Sequence, residues 1–151
     1  MAAKAEKLKV LFLCTGNSCR SQMAEGWART LRANDIEPYS AGVVKHGLNA
    51  FAVRVMAEAG VDISNQVSKT VAELPHANFD YVVTICDNAR ESCPVFPARV
   101  RLLHRAFDDP PRLAREAHSE EEALGHYRRV RDEIRNFVET LPESLSPAKT
   151  G

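Results

Sequence analysis

The chain has 151 residues, enough for one domain with a sizeable core, and its 44% hydrophobic and 26% charged residues are typical of a globular protein. Twenty basic and twenty acidic residues give a formal net charge of zero, which argues against nucleic acid or an acidic membrane surface as partner. No apolar run has the length of a membrane span or of a secretory leader. We therefore expect a cytoplasmic protein with a single domain over residues 1–151, in which four cysteines serve catalysis, redox chemistry or metal binding rather than structural disulfides.

The first half of the chain alternates between predicted strands and helices. LKVLFL (8–13) is short and apolar, which is typical of a strand buried on both faces, and SQMAEGWARTLRAN (21–34) has the apolar spacing of a helix. IEPYSAG (36–42) is predicted to be extended. NAFAVRVMAEAG (49–60) is predicted to be a helix that begins after the N-cap Asn49 and stops at its glycine.

The second half continues the alternation. ISNQVSKTVAELP (63–75) predicts a turn and a short helix, DYVVTIC (80–86) a buried strand, and RVRLLH (99–104) a fourth strand. FDDPP (107–111) is predicted to be a loop because paired prolines interrupt regular structure. SEEE predicts a capping box in which Ser119 caps the last helix. An apolar stripe then follows on that helix, and a frayed tail is expected from about residue 142: Leu124, Tyr127, Val130, Ile134, Phe137 and Leu141 form the stripe.

This alternation predicts an α/β fold with a four-stranded, mainly parallel sheet flanked by helices on both faces. Ligands of such sheets bind at the carboxyl ends of the strands. Cys14 ends the first strand, Cys86 ends the third, and Asp108 and Asp109 follow the fourth. We therefore expect these side chains on one rim of the sheet.

The segment CTGNSCRS (14–21) joins the first strand to the first helix. Small residues at a helix N-terminus form a nest of backbone N–H groups for an anion, with Gly16 expected to supply unusual backbone conformations. Arg20 is expected to hold two oxygens of an oxyanion, and this positive field lowers a cysteine pKa from about 8.5 to roughly 3.5–7.5. The segment therefore predicts a Cys14 nucleophile, assisted by a hydrogen bond from Ser21, within an oxyanion cradle: Thr15, Gly16, Asn17, Ser18, Cys19, Arg20 and Ser21. Within that cradle Cys19 is expected mainly to pack.

CTGNSCRSQMAEGW resembles the phosphate-binding loop and first helix of the low-molecular-weight protein tyrosine phosphatase superfamily. Within that superfamily, the segments YSAG, HGLN, ISNQ, VVTIC, FDDP and RVRDEI, together with the Cys86–Cys93 pair, are similar to thioredoxin-coupled arsenate reductases. The likeness covers nearly the whole chain. It implies reduction of arsenate to arsenite for detoxification, with thioredoxin as the electron donor and without a metal or an organic cofactor. We expect a monomer.

The resemblance also assigns roles to three cysteines and an acid. Arsenate bound to Cys14 is reduced when Cys86 attacks that sulfur, and Cys93 then attacks Cys86, which frees Cys14 and leaves a Cys86–Cys93 disulfide for thioredoxin. Asp109 is implied as the general acid that protonates the departing oxygen, with Asp108 as its rival by position. His46 and His104 receive no assigned role.

The spacing of the cysteine pair has a geometric consequence. If residues 86–93 are helical, the two cysteines lie about 10 Å apart along the axis. A disulfide needs Cα atoms roughly 4.4–6.8 Å apart. Oxidation is therefore expected to unwind the segment and present it to a partner reductase.

Two other functions fit some of the same residues. A phosphotyrosine phosphatase shares the cradle, but members of that branch tend to carry an aromatic residue where this chain has Pro111, and they lack the cysteine pair. A zinc module built from Cys14, Cys19, Cys86 and Cys93 has spacings that poorly match zinc pairs.

A cation site is the point at which the chain departs from some of the reductases that it resembles. Asn17, Glu25 and Ser40 match a potassium site found in several of them, but Lys69 stands where an aspartate would complete it and Val67 offers no side-chain oxygen. Hard cations need several oxygen ligands, and a nearby ammonium repels them. We therefore expect no functional potassium site, with Lys69 either close to Glu25 or directed into solvent.

Overall fold

The computed structural model describes residues 7–74, 79–85 and 101–145. Four parallel strands form one sheet in the order β2-β1-β3-β4, with the bounds β1 (Leu8–Cys14), β2 (Ile36–Gly42), β3 (Tyr81–Thr84) and β4 (Arg101–His104). Four α-helices are described, α1 (Arg20–Leu31), α2 (Ala50–Glu58), α3 (Pro110–Ala114) and α4 (Glu120–Glu139), as are 3-10 helices at Val71–Glu73 and Glu143–Leu145. The predicted α/β class and four-stranded parallel sheet are confirmed.

The central position of β1 explains why its sequence is apolar on both faces. Its alternate side chains point to opposite sides of the sheet, so Val10 and Phe12 join the core beneath α1, α2 and α4. Leu11 and Leu13 join a second, smaller core on the other face, which the 3-10 helix Val71–Glu73 covers. Because all strands are parallel, the end of β1 at Cys14 lies at the edge that collects the other carboxyl ends.

The helices pack through the stripes that the sequence predicts. Trp27 of α1 is buried against α4 and its indole N–H donates to the carbonyl of Arg131 at 3.1 Å. The predicted stripe of α4 is buried from Leu124 onward. Asn49 caps α2 by accepting a hydrogen bond from the N–H of Ala52 at 3.0 Å, as predicted. Within the described residues, no helix has the length and apolarity needed to cross a bilayer.

Three local predictions need correction. FDDPP does not remain a loop, since α3 begins at Pro110; the first helical N–H groups have no intrahelical acceptor, so proline there removes no hydrogen bond. Ser119 caps α4 through the N–H of Glu122, but the Glu122 carboxylate accepts from the N–H of His118 rather than from Ser119. The chain stays packed as far as Leu145, whose side chain is buried in the core, and residues 146–151 lie outside the described residues.

Two glycines provide a matched test of helix packing. A Cβ at Gly26 in α1 would lie 2.6 Å from Cγ2 of Ile63, whereas one at Gly125 in α4 meets nothing within 4 Å. We expect Gly26→Ala to lower the free energy of unfolding by about 1–3 kcal/mol through overpacking. Gly125→Ala should raise it by about 0.5–1 kcal/mol, because alanine loses less backbone entropy. Urea denaturation of both variants checks this, and equal effects would contradict the packing between α1 and Ile63.

Candidate active site

The loop between β1 and α1 is anchored to a neighbouring segment of the chain through hydrogen bonds to its carbonyl groups. The carbonyl oxygens of Thr15, Gly16 and Ser18 accept hydrogen bonds of 2.9–3.1 Å from backbone N–H groups of the segment 43–49. An amide N–H points roughly opposite to the carbonyl of the same peptide group. The N–H groups of the same three peptides, those of Gly16, Asn17 and Cys19, therefore point away from the segment 43–49, which fits the predicted anion nest.

Gly16 is needed for a different reason from the one predicted. It does not lie in the left-handed region; instead Asn17 does, with φ of 49°. A Cβ at Gly16 would lie only 2.4 Å from Nδ1 of His46, so the missing side chain leaves room for the imidazole. Glycine at this position therefore permits close approach of His46 rather than an unusual backbone.

Asn17 is held in its left-handed conformation by a buried hydrogen-bond network. Its Oδ1 accepts from Nε2 of Gln22 at 2.9 Å and from the N–H of Lys69 at 2.8 Å. Its Nδ2 donates to Oγ of Ser21 at 2.9 Å. The side chains of Asn17 and Ser21 are thus fully buried behind the loop, where they shape it. Because Ser21 Oγ accepts here, its hydroxyl proton is left to donate, and the expected bond to Cys14 stays a prediction.

The side chains of Arg20 and Asp109 are in contact with each other in the wall of a cavity beside this loop. Nη2 of Arg20 lies 3.3 Å from Oδ1 of Asp109, and Nη1 donates to the carbonyl of Phe107 at 2.9 Å. Asp108 instead pairs with Nη2 of Arg129 at 3.1 Å and is more exposed. The structure therefore distinguishes the two candidates for the general acid. Of these two aspartates, Asp109 lines the cavity and Asp108 does not.

The cavity has a volume of about 220 Å³ and brings together Cys14, Arg20 and Asp109. Its walls also include His46, to which the sequence assigns no role, and Arg115, which no sequence pattern singles out. His46 begins the segment HGLN (46–49), but a lone histidine does not by itself indicate a place beside the loop, and Arg115 belongs to no motif. The position of Arg115 was further obscured because the start of α3 was predicted to be a loop.

The other cysteines differ in what the structure describes. Cys19 is 2% exposed, and burial raises the pKa of its thiol well above the usual range, so the group stays neutral. This agrees with a packing role. Cys86 and Cys93 lie outside the described residues, so the relay and the unwinding of their segment stay predictions, as does the zinc module.

The sheet and the loop from cysteine to arginine together define a phosphatase-type fold. The profile of the family described as low molecular weight phosphotyrosine protein phosphatase matches residues 9–150, and the chain belongs to this family.

Sequence relatives and solved structures agree within the family. An arsenate reductase of Bacillus subtilis is 48% identical over 135 residues, which are 89% of this chain and 95% of the relative. One from Staphylococcus aureus is 45% identical over 89% of this chain and 96% of its own length. A solved structure described as an arsenate reductase in the phosphate binding state has a TM-score of 0.71 at 32% identity, covering 92% of this chain and 99% of its own. A low molecular weight protein tyrosine phosphatase from T. tengcongensis has a TM-score of 0.71 at 27% identity, covering 91% and 99%.

Lys69 lies behind the loop rather than in solvent. Its ammonium donates to the carbonyl of Val67 at 2.8 Å and lies 3.9 Å from Oε1 of Glu25, which also accepts from the Ser40 hydroxyl at 2.5 Å. Burial lowers the pKa of Lys69, while Glu25 and Glu73 oppose that shift. The residues present therefore do not fit a potassium ion, because a tethered cation already faces the Glu25 carboxylate.

Potassium is accordingly expected to have no specific effect on this protein. Melting temperature and turnover should be equal in potassium, sodium and choline salts at matched ionic strength, because Arg29 and Lys69 already lie 3.3 Å and 3.9 Å from the two oxygens of the Glu25 carboxylate. Differential scanning calorimetry and a steady-state assay in the three salts check this. A gain specific to potassium would contradict the substitution of the ion by Lys69.

Proposed function

We propose that this protein is an arsenate reductase that forms a Cys14 adduct with arsenate and is regenerated through Cys86, Cys93 and thioredoxin. The observation that carries the proposal is the meeting of Cys14, Arg20 and Asp109 in one small cavity. The arsenate reductases of Bacillus subtilis and Staphylococcus aureus, at 48% and 45% identity, support the choice of substrate. We further propose that it works as a cytoplasmic monomer.

The first step uses the shared chemistry of the loop. The Cys14 thiolate attacks arsenic, so that a sulfur–arsenic bond forms while one arsenic–oxygen bond breaks. Asp109 donates a proton to the departing oxygen, which leaves as water. The inward N–H groups and the Arg20 guanidinium stabilise the negative oxygens of the bound oxyanion. The 3.3 Å contact between Nη2 of Arg20 and Oδ1 of Asp109 supports these roles, because it brings the proposed acid and the proposed clamp together in one cavity.

The second and third steps are thiol exchanges. The Cys86 thiolate attacks the Cys14 sulfur, a disulfide forms, and the electron pair of the broken sulfur–arsenic bond reduces arsenic from the pentavalent to the trivalent state. Arsenite then leaves. Cys93 attacks Cys86, which releases the Cys14 thiolate, and the dithiol of thioredoxin reduces the resulting Cys86–Cys93 disulfide with two electrons.

A phosphotyrosine phosphatase is the second candidate, because the tyrosine phosphatase from T. tengcongensis has the same fold and a hydrolase needs only the nucleophile, the arginine and the acid. Pro111 in the cavity wall argues against it, since a proline offers no aromatic face for a phosphotyrosine ring. Slow hydrolysis of small aryl phosphates is nevertheless expected from the shared cradle.

Single serine substitutions separate the two activities. Cys14→Ser, Cys86→Ser and Cys93→Ser should each abolish multiple-turnover arsenate reduction, because each removes one thiol of the relay. Hydrolysis of p-nitrophenyl phosphate should be lost only in Cys14→Ser, because that reaction uses the nucleophile alone. Oxidation of NADPH in the presence of arsenate, thioredoxin and thioredoxin reductase measures the reduction.

The same assay tests the electron donor, and the metal content of the purified protein tests the zinc module. Replacing the thioredoxin system by a glutaredoxin system should lower the rate strongly. Normal turnover of Cys93→Ser with thioredoxin would refute the relay, and a purified protein that carries one zinc ion per chain would favour the zinc module.

A further inference from the structure

Arg115 is a cationic residue of the cavity wall to which the proposed chemistry gives no role. It follows α3 directly, its side chain is exposed, and it lines the cavity together with Asp109. Its backbone N–H donates to the carbonyls of Pro111 at 3.2 Å and Arg112 at 3.3 Å, which closes the last turn of the helix. Since Asp109 is the N-cap of the same helix, α3 fixes the separation between the acid and Arg115.

The other charged groups of the cavity indicate that Arg115 can interact with an incoming anion. Nη2 of Arg20 lies 3.3 Å from Oδ1 of Asp109, and Nη1 donates to the Phe107 carbonyl, so the Arg20 guanidinium is already engaged by groups of the protein. Within the part of the chain that the structure describes, no carboxylate forms an ion pair with Arg115. Arg115 therefore offers a second guanidinium in the cavity wall to an incoming anion.

In the proposed first step Asp109 protonates the departing oxygen, so this oxygen of the tetrahedral anion would face the wall formed by Asp109, Pro111 and Arg115. In arsenate and phosphate this oxygen is unsubstituted and accepts hydrogen bonds from a guanidinium. In a phosphate monoester it is the bridging oxygen, which carries an organic group and is a poorer acceptor. A guanidinium beside this oxygen therefore favours the free anion and crowds the ester.

We infer that Arg115 is a specificity-determining residue that makes the cavity prefer free tetrahedral oxyanions to their monoesters. The inference deepens the proposed function, on which its choice of arsenate as substrate rests. The inference predicts that loss of the Arg115 guanidinium weakens the binding of a free oxyanion more than the binding of its monoester. A residue that acted only through its positive charge would weaken the binding of both anions alike.

The test compares Arg115→Gln with Arg112→Gln, which removes the same charge from an exposed arginine of α3 that is not in the cavity wall. The probes are inorganic phosphate, as a competitive inhibitor that is not reduced, and p-nitrophenyl phosphate, as the monoester. In Arg115→Gln the ratio of the phosphate Ki to the ester KM should rise about fivefold. Arg115→Lys, which keeps the charge but not the planar fork, should show a smaller rise, and Arg112→Gln none.

An unchanged ratio in Arg115→Gln, or an equal rise in Arg112→Gln, would overturn the inference. The KM for arsenate in the reduction assay should rise in parallel with the phosphate Ki. If the wild-type protein fails to reduce arsenate, the proposed function is wrong, whereas the ratio for phosphate and the ester still decides the role of Arg115.

Discussion

The active-site loop depends on the hydrogen bonds that surround the buried amide of Asn17. A non-glycine residue in the left-handed region costs about 1–2 kcal/mol, and a buried amide without partners costs more. Both costs are offset here because Gln22, Ser21 and the N–H of Lys69 all bond to the Asn17 side chain. Gln22 also donates to the carbonyl of Val67, so the network joins the loop, α1 and the segment before the 3-10 helix.

A second set of contacts, made by Arg20, explains how separate parts of the chain build one cavity. Cys14 is the last residue of the central strand β1, and α1 begins with Arg20 only six residues later. The contacts of Arg20 to the Phe107 carbonyl and the Asp109 carboxylate then join the loop to the segment that follows β4. The cavity is therefore assembled at the carboxyl edge of a parallel sheet, where residues that are 95 positions apart in sequence can meet.

The sequence predicts best those features that a local pattern determines. The apolar run of β1 and the stripe of α4 specify burial through their periodicity, and the Asn49 cap is a local hydrogen bond. The reason for Gly16 is different, because it depends on His46, thirty residues away, and no local rule reports a close approach of that kind. The start of α3 is not evident from the sequence, because paired prolines usually interrupt a helix and only their position in the first turn makes them compatible with one.

Lys69 shows how one residue combines two functions that a bound ion could not. Its backbone N–H holds Asn17, while its ammonium faces Glu25 and the Val67 carbonyl, so loop geometry and charge balance reside in the same residue. A free ion must be bound from solution at an entropic and concentration-dependent cost, whereas a tethered ammonium is always present at its site. The partial burial that lowers the pKa of Lys69 is the opposing cost, since it disfavours the charged form of the ammonium. Glu25 acts against this shift, because its carboxylate lies 3.9 Å from the ammonium and favours the charged form.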